Sequence, residues 1–183
     1  MKNLKSKLSL KVKIPININE KPQSLSCTAP ITDCSHIIDN IYISGYRSSI
    51  DYVFLIQNKF THIINCAYGS KSFTPCNFNE ITYFNIDLKD DGNINISNEI
   101  IKFINFVKEV SENENNKILI HCAQGVSRSP ALVSAYLMWK CNMDCLSAVN
   151  FVKSKRNCID INLGFMFQLE NLNTHREIFK QIF

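Results

Sequence analysis

The chain has 183 residues, 45% of them hydrophobic, and a formal net charge of +4 at pH 7. This length and composition are typical of one domain that buries its own core. No apolar run is long enough to cross a bilayer, and the lysine-rich first residues lack the apolar stretch of a signal peptide. We therefore expect neither a membrane span nor secretion.

The first 32 residues differ in charge from the rest of the chain. Six lysines and one glutamate give residues 1–32 a charge of +5, which leaves −1 for 33–183. We predict a basic, flexible N-terminal arm over 1–32 and one folded domain over 33–183. Apolar and polar residues alternate over 8–14, so this part of the arm also permits an added edge strand.

After the arm, the apolar pattern alternates between strand-like and helix-like periods. This alternation indicates an α/β fold, a single domain with a central, mostly parallel twisted sheet flanked by helices. Ligands bind such sheets at the carboxyl ends of strands. Strands are predicted near 40–45, 61–67, 81–88 and 117–121, and helices near 48–59, 98–111, 130–140, 145–155 and 163–180.

The most informative segment follows the last predicted strand and reads His121-Cys122-Ala123-Gln124-Gly125-Val126-Ser127-Arg128-Ser129. A strand, a tight loop and a helix N-terminus in this order point loop N–H groups and the helix dipole at one spot, which suits an anion. Gly125 allows the loop to curl. Pro130 fits a first helical turn, because its missing N–H is not needed there.

Each residue type in this Cys-x5-Arg phosphate loop has a chemical reason to be there. Cys122, at a helix N-terminus among amide donors, becomes a thiolate nucleophile. Arg128 supplies a planar fork that binds two phosphoryl oxygens at once. Ser129, with Ser127 as a second candidate, can donate a hydrogen bond to the thiolate. The ring of His121 is expected to bond loop backbone and hold Cys122 rather than act as a base.

In this loop the chain resembles the cysteine-dependent protein tyrosine phosphatase superfamily, and within it the small (atypical) dual-specificity phosphatases. The similarity runs from about 35 to 173, with two departures: Ile161 stands where the family usually has Pro, and Pro130 where Ala is commoner. The resemblance implies hydrolysis of phosphotyrosine, phosphoserine and phosphothreonine through a phospho-cysteine intermediate, with 33–183 as the catalytic domain. The segments that carry it, besides the loop, are 38–45, 61–67, 83–90, 135–138, 152–156, 162–165 and 168–169.

The reaction that the resemblance implies needs a general acid for the leaving group. Asp90 is expected to be this acid because it stands four residues after Ile86, as the family's acid does. Asp91 and Asp87 are the alternatives, because a shift of one or three residues in the alignment with the family would place either of them at the position of the acid. Asn162 is expected to support the site. Arg156 resembles a position that contacts a second phosphate, and a solvated charge at a helix end is the alternative.

The phosphate is expected to contact loop residues and to need no metal or other cofactor, because Arg128 and the amides supply the positive field. Uncharged loop residues disfavour an inositol-lipid phosphatase, whose loop adds lysines. Arg128-Ser129 in place of Arg-Thr-Gly argues against an RNA triphosphatase, so no nucleic-acid partner is expected. The substrate-binding residues would be Ala123, Gln124, Gly125, Val126, Ser127 and Arg128.

Two alternatives to a protein phosphatase remain at this point. One is a phosphoprotein- or kinase-binding module with a phosphatase fold; such modules usually lose the Cys or the Arg, and this chain keeps both. The other is a phosphatase of a non-protein phosphomonoester. The expected partner is a phosphorylated protein. Basic residues followed by Leu8 and Leu10 resemble the motif that docks on mitogen-activated protein kinases, and ordinary solvated disorder is the alternative for this arm.

Eight cysteines at irregular spacing, without a Cys-x2-Cys pair, do not predict a disulfide framework. A thiolate enzyme needs a reducing compartment, so we expect a cytoplasmic protein, with the nucleus as a second location. Cys66 ends a predicted strand that should lie beside the last one. It is a core residue in one reading; in the other, which the resemblance implies, it is a redox partner that forms a disulfide with Cys122.

Overall fold

Five short strands form one sheet in the computed structural model, which describes residues 33–69 and 77–182. The arm predicted over 1–32, with its candidate edge strand and docking motif, lies outside these residues. The strands are β1 (Cys34–Ile38), β2 (Ile41–Ser44), β3 (His62–Asn65), β4 (Thr82–Asn85) and β5 (Ile118–His121). Their order is β1-β2-β5-β3-β4; β1 pairs antiparallel with β2, and the other neighbours are parallel. The predicted single α/β domain with a mostly parallel sheet is confirmed.

The first and last predicted helices are each divided in two. The side chain of Asp51 accepts a hydrogen bond from the Phe54 N–H at 3.0 Å, which caps a new helix inside the predicted 48–59. The predicted 163–180 divides at His175, whose Nδ1 lies 3.0 Å from the Asn171 carbonyl oxygen. The helices are α1 (Tyr46–Ser49), α2 (Tyr52–Gln57), α3 (Ser97–Val110), α4 (Arg128–Lys140), α5 (Cys145–Lys155), α6 (Leu163–Thr174) and α7 (Arg176–Gln181). None of those in the described ranges is long and apolar enough to span a membrane.

Two strand predictions need correction. Strand β1 was not predicted; it joins β2 through a tight turn in which Asp39 has φ +46. Asp tolerates this left-handed conformation, so the turn between two isoleucine-rich segments was the available signal. The predicted strand 81–88 ends at Asn85, and the carbonyl of Leu88 accepts a hydrogen bond from Arg128 instead of a neighbouring strand.

The sheet places hydrophobic side chains on both faces. Ile118 and Ile120 of β5 belong to the main core with the buried face of α3, whereas Leu119 packs with Leu55 of α2 in a smaller cluster. Helix α4 packs against α3, α5 and α6, and its residues from Arg128 to Met138 are all buried. The loop between β5 and α4 is therefore held between a fully buried strand and a helix packed by three others.

Candidate active site

The loop after β5 curls around the sulfur of Cys122. Gly125 has φ +67, a conformation that favours glycine, and a Cβ there would lie 2.5 Å from the carbonyl oxygen of Ser44. The N–H of Gly125 donates a hydrogen bond to Cys122 Sγ at 3.2 Å. Glycine at this position therefore permits both the turn and the close approach of the loop to β2.

Cys122 is only 2% exposed, yet its surroundings favour the thiolate. Burial acts to raise the pKa of Cys122, but hydrogen bonds from the side chain and backbone of Ser129, the charge of Arg128 and the Gly125 N–H outweigh it and hold the pKa below its ordinary value. Ser129 Oγ donates to Sγ at 3.4 Å. The second candidate donor was wrong: Ser127 Oγ donates to Asp90 Oδ1 at 2.6 Å instead.

Arg128 begins α4 and lies in the same cavity as Cys122. Its Nη1 donates to the Leu88 carbonyl at 3.2 Å, which fixes the guanidinium plane. Its buried Nε lies 3.6 Å from Asp90 Oδ2 and has no hydrogen-bond partner among the residues that the structure describes. A buried, ionised donor of this kind is suited to an anionic ligand.

Asp90 is the one of the three candidate aspartates that lines the cavity with Cys122 and Arg128. Its Oδ1 accepts hydrogen bonds from Ser127 Oγ at 2.6 Å and from Asn162 Nδ2 at 2.8 Å. Asp91 instead accepts from the backbone of Asn93 in an exposed turn. Asp87 lies against Gly69, where a Cβ would come 2.8 Å from Oδ1. Of the three candidates, Asp90 is therefore the one that lies in the same cavity as Cys122.

Asn162 links the segment that carries Asp90 to the start of α6. Its Oδ1 caps the helix by accepting from the Phe165 N–H at 2.9 Å, while Nδ2 donates to Asp90. Beside it, Gly92 and Gly164 make a backbone contact so close that a Cβ on Gly164 would overlap the Gly92 carbonyl. These contacts hold Asp90 over the loop.

His121 lies behind the loop and does not line the cavity. Its Nδ1 is 3.2 Å from the Cys122 carbonyl oxygen. Burial lowers the pKa of His121 to about 4, so the ring is neutral at pH 7. Both observations fit a group that orients loop backbone.

Cys66 follows β3 in register with Cys122. Asn65 pairs with His121, and the Cys66 N–H donates to the His121 carbonyl at 2.7 Å. Neighbouring strands lie about 4.8 Å apart, within the Cα separation of roughly 4.4–6.8 Å that a disulfide spans. Burial raises the pKa of Cys66 well above its ordinary value, and negative charge on Cys122 raises it further. Cys66 is therefore a neutral thiol beside Cys122.

Part of the cavity wall was not predicted from the sequence, and one arginine lies in a different environment from the solvated one considered for it. The cavity measures about 470 Å³, and Asp160, Ile161 and Leu163 line it beside Asn162. Their position next to Asn162 in the C-terminal segment was the available signal. Arg156 is not a solvated helix end: it is 4% exposed, and its Nε donates to the Gly125 carbonyl at 2.7 Å.

The sequence pattern of the dual specificity phosphatase catalytic domain matches residues 41–175, which include the loop, Asp90 and Asn162. The chain belongs to this family. Among curated relatives, the dual specificity protein phosphatase 13B of Mus musculus is 29% identical over 150 residues, 80% of this chain and 75% of that protein. The protein-tyrosine-phosphatase MKP1 of Arabidopsis thaliana is 36% identical over 138 residues, which are 75% of this chain but only 17% of that protein.

Two solved structures, one of a dual-specificity phosphatase and one of a phosphatase-like protein, share the fold. DUSP15 superposes with a TM-score of 0.73 at 25% identity, over 82% of this chain and 95% of that one. The human tyrosine phosphatase-like serine/threonine/tyrosine-interacting protein superposes with a TM-score of 0.72 at 25% identity, over 80% of this chain and 99% of that one. The resemblance to small, atypical dual-specificity phosphatases is thus confirmed.

Proposed function

We propose that this dual-specificity phosphatase is a metal-independent enzyme that hydrolyses phosphotyrosine, phosphoserine and phosphothreonine in proteins through a phospho-cysteine intermediate. The observation that carries the proposal is one cavity in which a cysteine of lowered pKa, Cys122, lies with Arg128 and Asp90. Nucleophile, anion-binding fork and acid are the three groups that such a reaction requires.

In the first proposed step, Cys122 Sγ attacks phosphorus, the S–P bond forms and the ester P–O bond breaks. Asp90 donates its proton to the departing oxygen, so a neutral alcohol or phenol leaves. Arg128 and the N–H groups of 123–128 bind the non-bridging oxygens while charge develops on them. Asn162 and Ser127 keep the Asp90 carboxyl in place through their contacts with Oδ1.

In the second proposed step, Asp90 takes a proton from water while the water oxygen attacks phosphorus and the S–P bond breaks. The electron pair returns to Cys122 as thiolate. Ser129 stabilises that charge through the hydrogen bond from its hydroxyl, 3.4 Å from Sγ in the structure. Inorganic phosphate leaves, and the enzyme is restored without a metal or cofactor.

Steady-state turnover of a small aryl phosphate with excess chelator tests this function directly. We expect saturable phosphate release that is lost when iodoacetate alkylates Cys122. Phosphotyrosine and phosphothreonine peptides of identical sequence then measure dual specificity. The kcat/KM values for these peptides are compared with those for non-protein phosphomonoesters, which tests the alternative substrate class. Lack of turnover by the correctly folded protein on all three classes would reject the enzyme.

The alternative is a binding module with this fold, and similarity to a protein named as an interacting protein makes it concrete. The retained Cys122 and Arg128 favour the enzyme. A binding module would retain a phosphopeptide without releasing phosphate from it. Because the reactive thiol needs reducing conditions, we propose the cytoplasm or the nucleus as its location.

We further propose that Cys66 protects the oxidised nucleophile. Peroxide converts the Cys122 thiolate to a sulfenic acid; the Cys66 thiol then forms the S–S bond as the sulfenic oxygen leaves as water. Mild peroxide treatment should give a Cys66–Cys122 peptide by mass spectrometry, and a reductant should restore activity. In Cys66→Ala the same treatment should inactivate irreversibly, because the sulfenic acid is oxidised further.

Cys158→Ala is the matched control, since Cys158 is an exposed cysteine. It should recover with reductant like the unchanged protein. Equal recovery of Cys66→Ala, or linkage of Cys122 to another cysteine, would leave Cys66 as a core residue only.

We also propose that the basic arm docks a mitogen-activated protein kinase substrate. The support is its charge of +5 and the lysines that precede Leu8 and Leu10. Deletion of 1–30 should leave aryl phosphate turnover unchanged and slow dephosphorylation of the phosphorylated kinase. Equal rates for the full and shortened chains on the kinase would remove the docking role, and Leu8→Ala with Leu10→Ala would separate the motif from simple charge.

A further inference from the structure

Arg156, just after α5, makes a dense set of contacts behind the phosphate loop. Its Nε donates to the Gly125 carbonyl at 2.7 Å, and its Nη2 donates to the Gln124 carbonyl at 3.0 Å. Its other contacts are with Asp33, to which Nη1 and Nη2 each reach one carboxylate oxygen at 2.7 and 2.8 Å, and with Ser35 Oγ at 3.3 Å. The residue is 4% exposed and does not line the cavity of Cys122.

The carbonyls of Gln124 and Gly125 point toward Arg156, so the N–H groups of the same two peptides point away from it. In a trans peptide the C=O and N–H point in opposite directions, and the described residues contain no cis peptide bond. Arg156 binds the C=O of the Gln124–Gly125 peptide, and the N–H of the same peptide donates to Cys122 Sγ at 3.2 Å. The contact at the Gly125 carbonyl orients the following peptide, which carries the Val126 N–H, in the same way. A cation on the carbonyl also polarises the peptide and strengthens its N–H donor.

Asp33 provides the charge that lets this guanidinium be buried. A buried cation without a partner is strongly unfavourable, and the Asp33 carboxylate meets Arg156 as a bidentate pair. It also accepts from the Gly45 N–H at 3.2 Å, at the end of β2. The hydrogen bond from Arg156 lowers the pKa of Asp33 although burial opposes it, so the pair is charged at neutral pH. Asp33 directly precedes β1 and follows the basic arm.

We propose that Arg156 and Asp33 are a positioning pair that holds the carbonyls of Gln124 and Gly125 away from the cavity. The N–H groups of the same two peptides, which belong to Gly125 and Val126, are thereby directed at the sulfur and at the bound phosphate. Neither residue touches the substrate. The kinetic consequence rests on the proposed phosphatase function, whereas the reactivity of the Cys122 thiol can be measured without any turnover.

The test compares Arg156→Met, which keeps side-chain length but removes the charge and the fork, with Arg156→Lys. The rate at which iodoacetamide alkylates Cys122, followed by mass mapping across pH, reports the thiolate. We expect its midpoint to move to higher pH in Arg156→Met, and kcat/KM for an aryl phosphate to fall roughly 10- to 100-fold, as for misplaced catalytic groups elsewhere. Arg156→Lys should show smaller changes than Arg156→Met in both the alkylation midpoint and kcat/KM. A single ammonium can contact one carbonyl but cannot replace the fork.

Asp33→Asn is the milder variant in case Arg156→Met does not fold. It keeps the shape and an acceptor oxygen but removes the charge, so we expect a change in the same direction and smaller. In the unchanged protein the pKa of Asp33 is lowered in the folded state. The stabilising negative charge of Asp33 is therefore complete above the ordinary carboxyl pKa of about 3.9, and it is lost as pH falls through the lowered value. Measurements between about pH 5 and 8 therefore compare a charged pair with its variants.

The ion pair between Lys140 and Asp39, with Nζ and Oδ2 2.7 Å apart, is the matched control because it is exposed and has no contact with the loop. Asp39→Asn should leave the alkylation midpoint and kcat/KM unchanged.

An unchanged midpoint in both Arg156→Met and Asp33→Asn, with only thermal stability lowered, would overturn the positioning role. A loss confined to doubly phosphorylated peptides would overturn it too, and would assign Arg156 to a second phosphate. Absence of turnover in the unchanged protein would reject the phosphatase function, while the alkylation midpoints would still decide this inference.

Discussion

Replacement of Cys122 by serine should abolish phosphate release while the protein still binds a phosphotyrosine peptide. The hydroxyl would occupy the cradle formed by the Gly125 N–H and Ser129 Oγ, so anion binding remains. A serine hydroxyl is not ionised at neutral pH, and His121 does not line the cavity to act as its base. We expect a loss in kcat on the order of 10⁵- to 10⁶-fold, as for other enzymes that lose their nucleophile. Aryl phosphate turnover and calorimetric binding of the peptide measure the two effects.

Cys158→Ser is the control for this replacement, since it changes an exposed cysteine outside the cavity in the same way. It should retain full turnover. If Cys122→Ser releases phosphate above the level of a mock preparation, the phospho-cysteine intermediate is wrong. If it neither turns over nor binds, while its circular dichroism and melting temperature are unchanged, the loop donors and Arg128 do not bind the phosphate as proposed.

Asp90→Asn should slow hydrolysis in proportion to how much the leaving group needs a proton. The amide keeps the shape of the carboxyl over the loop but cannot donate a proton to the departing oxygen as an acid. General acid catalysis contributes roughly 10²- to 10⁴-fold where protonation is required. An alkyl phosphate or phosphothreonine peptide should lose about this much in kcat/KM, and an aryl phosphate with an acidic phenol should lose little. A plot of log kcat/KM against leaving-group pKa should become steeper.

Asp91→Asn provides the matched control. Asp91 is the next residue, but its carboxylate accepts from the Asn93 backbone in an exposed turn instead of entering the cavity. This variant should keep the slope measured for the unchanged protein. Equal losses for good and poor leaving groups in Asp90→Asn would remove Asp90 as the acid, and a steeper slope in Asp91→Asn would assign the role there.

The segment 121–129 could be read from the sequence because its chemistry is local. Nucleophile, glycine turn, arginine and the helix start are contiguous, so the strand–loop–helix pattern fixes their relation before any tertiary contact forms. The mostly parallel sheet was predictable for a similar reason, since each strand and helix carries its own apolar period. The short edge strand β1 and the breaks at Asp51 and His175 were missed, because single side-chain hydrogen bonds and one tight turn decide them.

The sequence by itself thus determined the parallel strands of the sheet, the Cys-x5-Arg loop and the family of this protein. Only the tertiary structure decided where the polar side chains around the loop point. Ser127 donates to Asp90, 37 residues away in sequence, rather than to Cys122 in its own loop, and Arg156 binds Asp33, 123 residues away. A hydroxyl or guanidinium takes the partner that burial and geometry leave within reach, and spacing along the chain contains no information on contacts that form only when distant segments pack together.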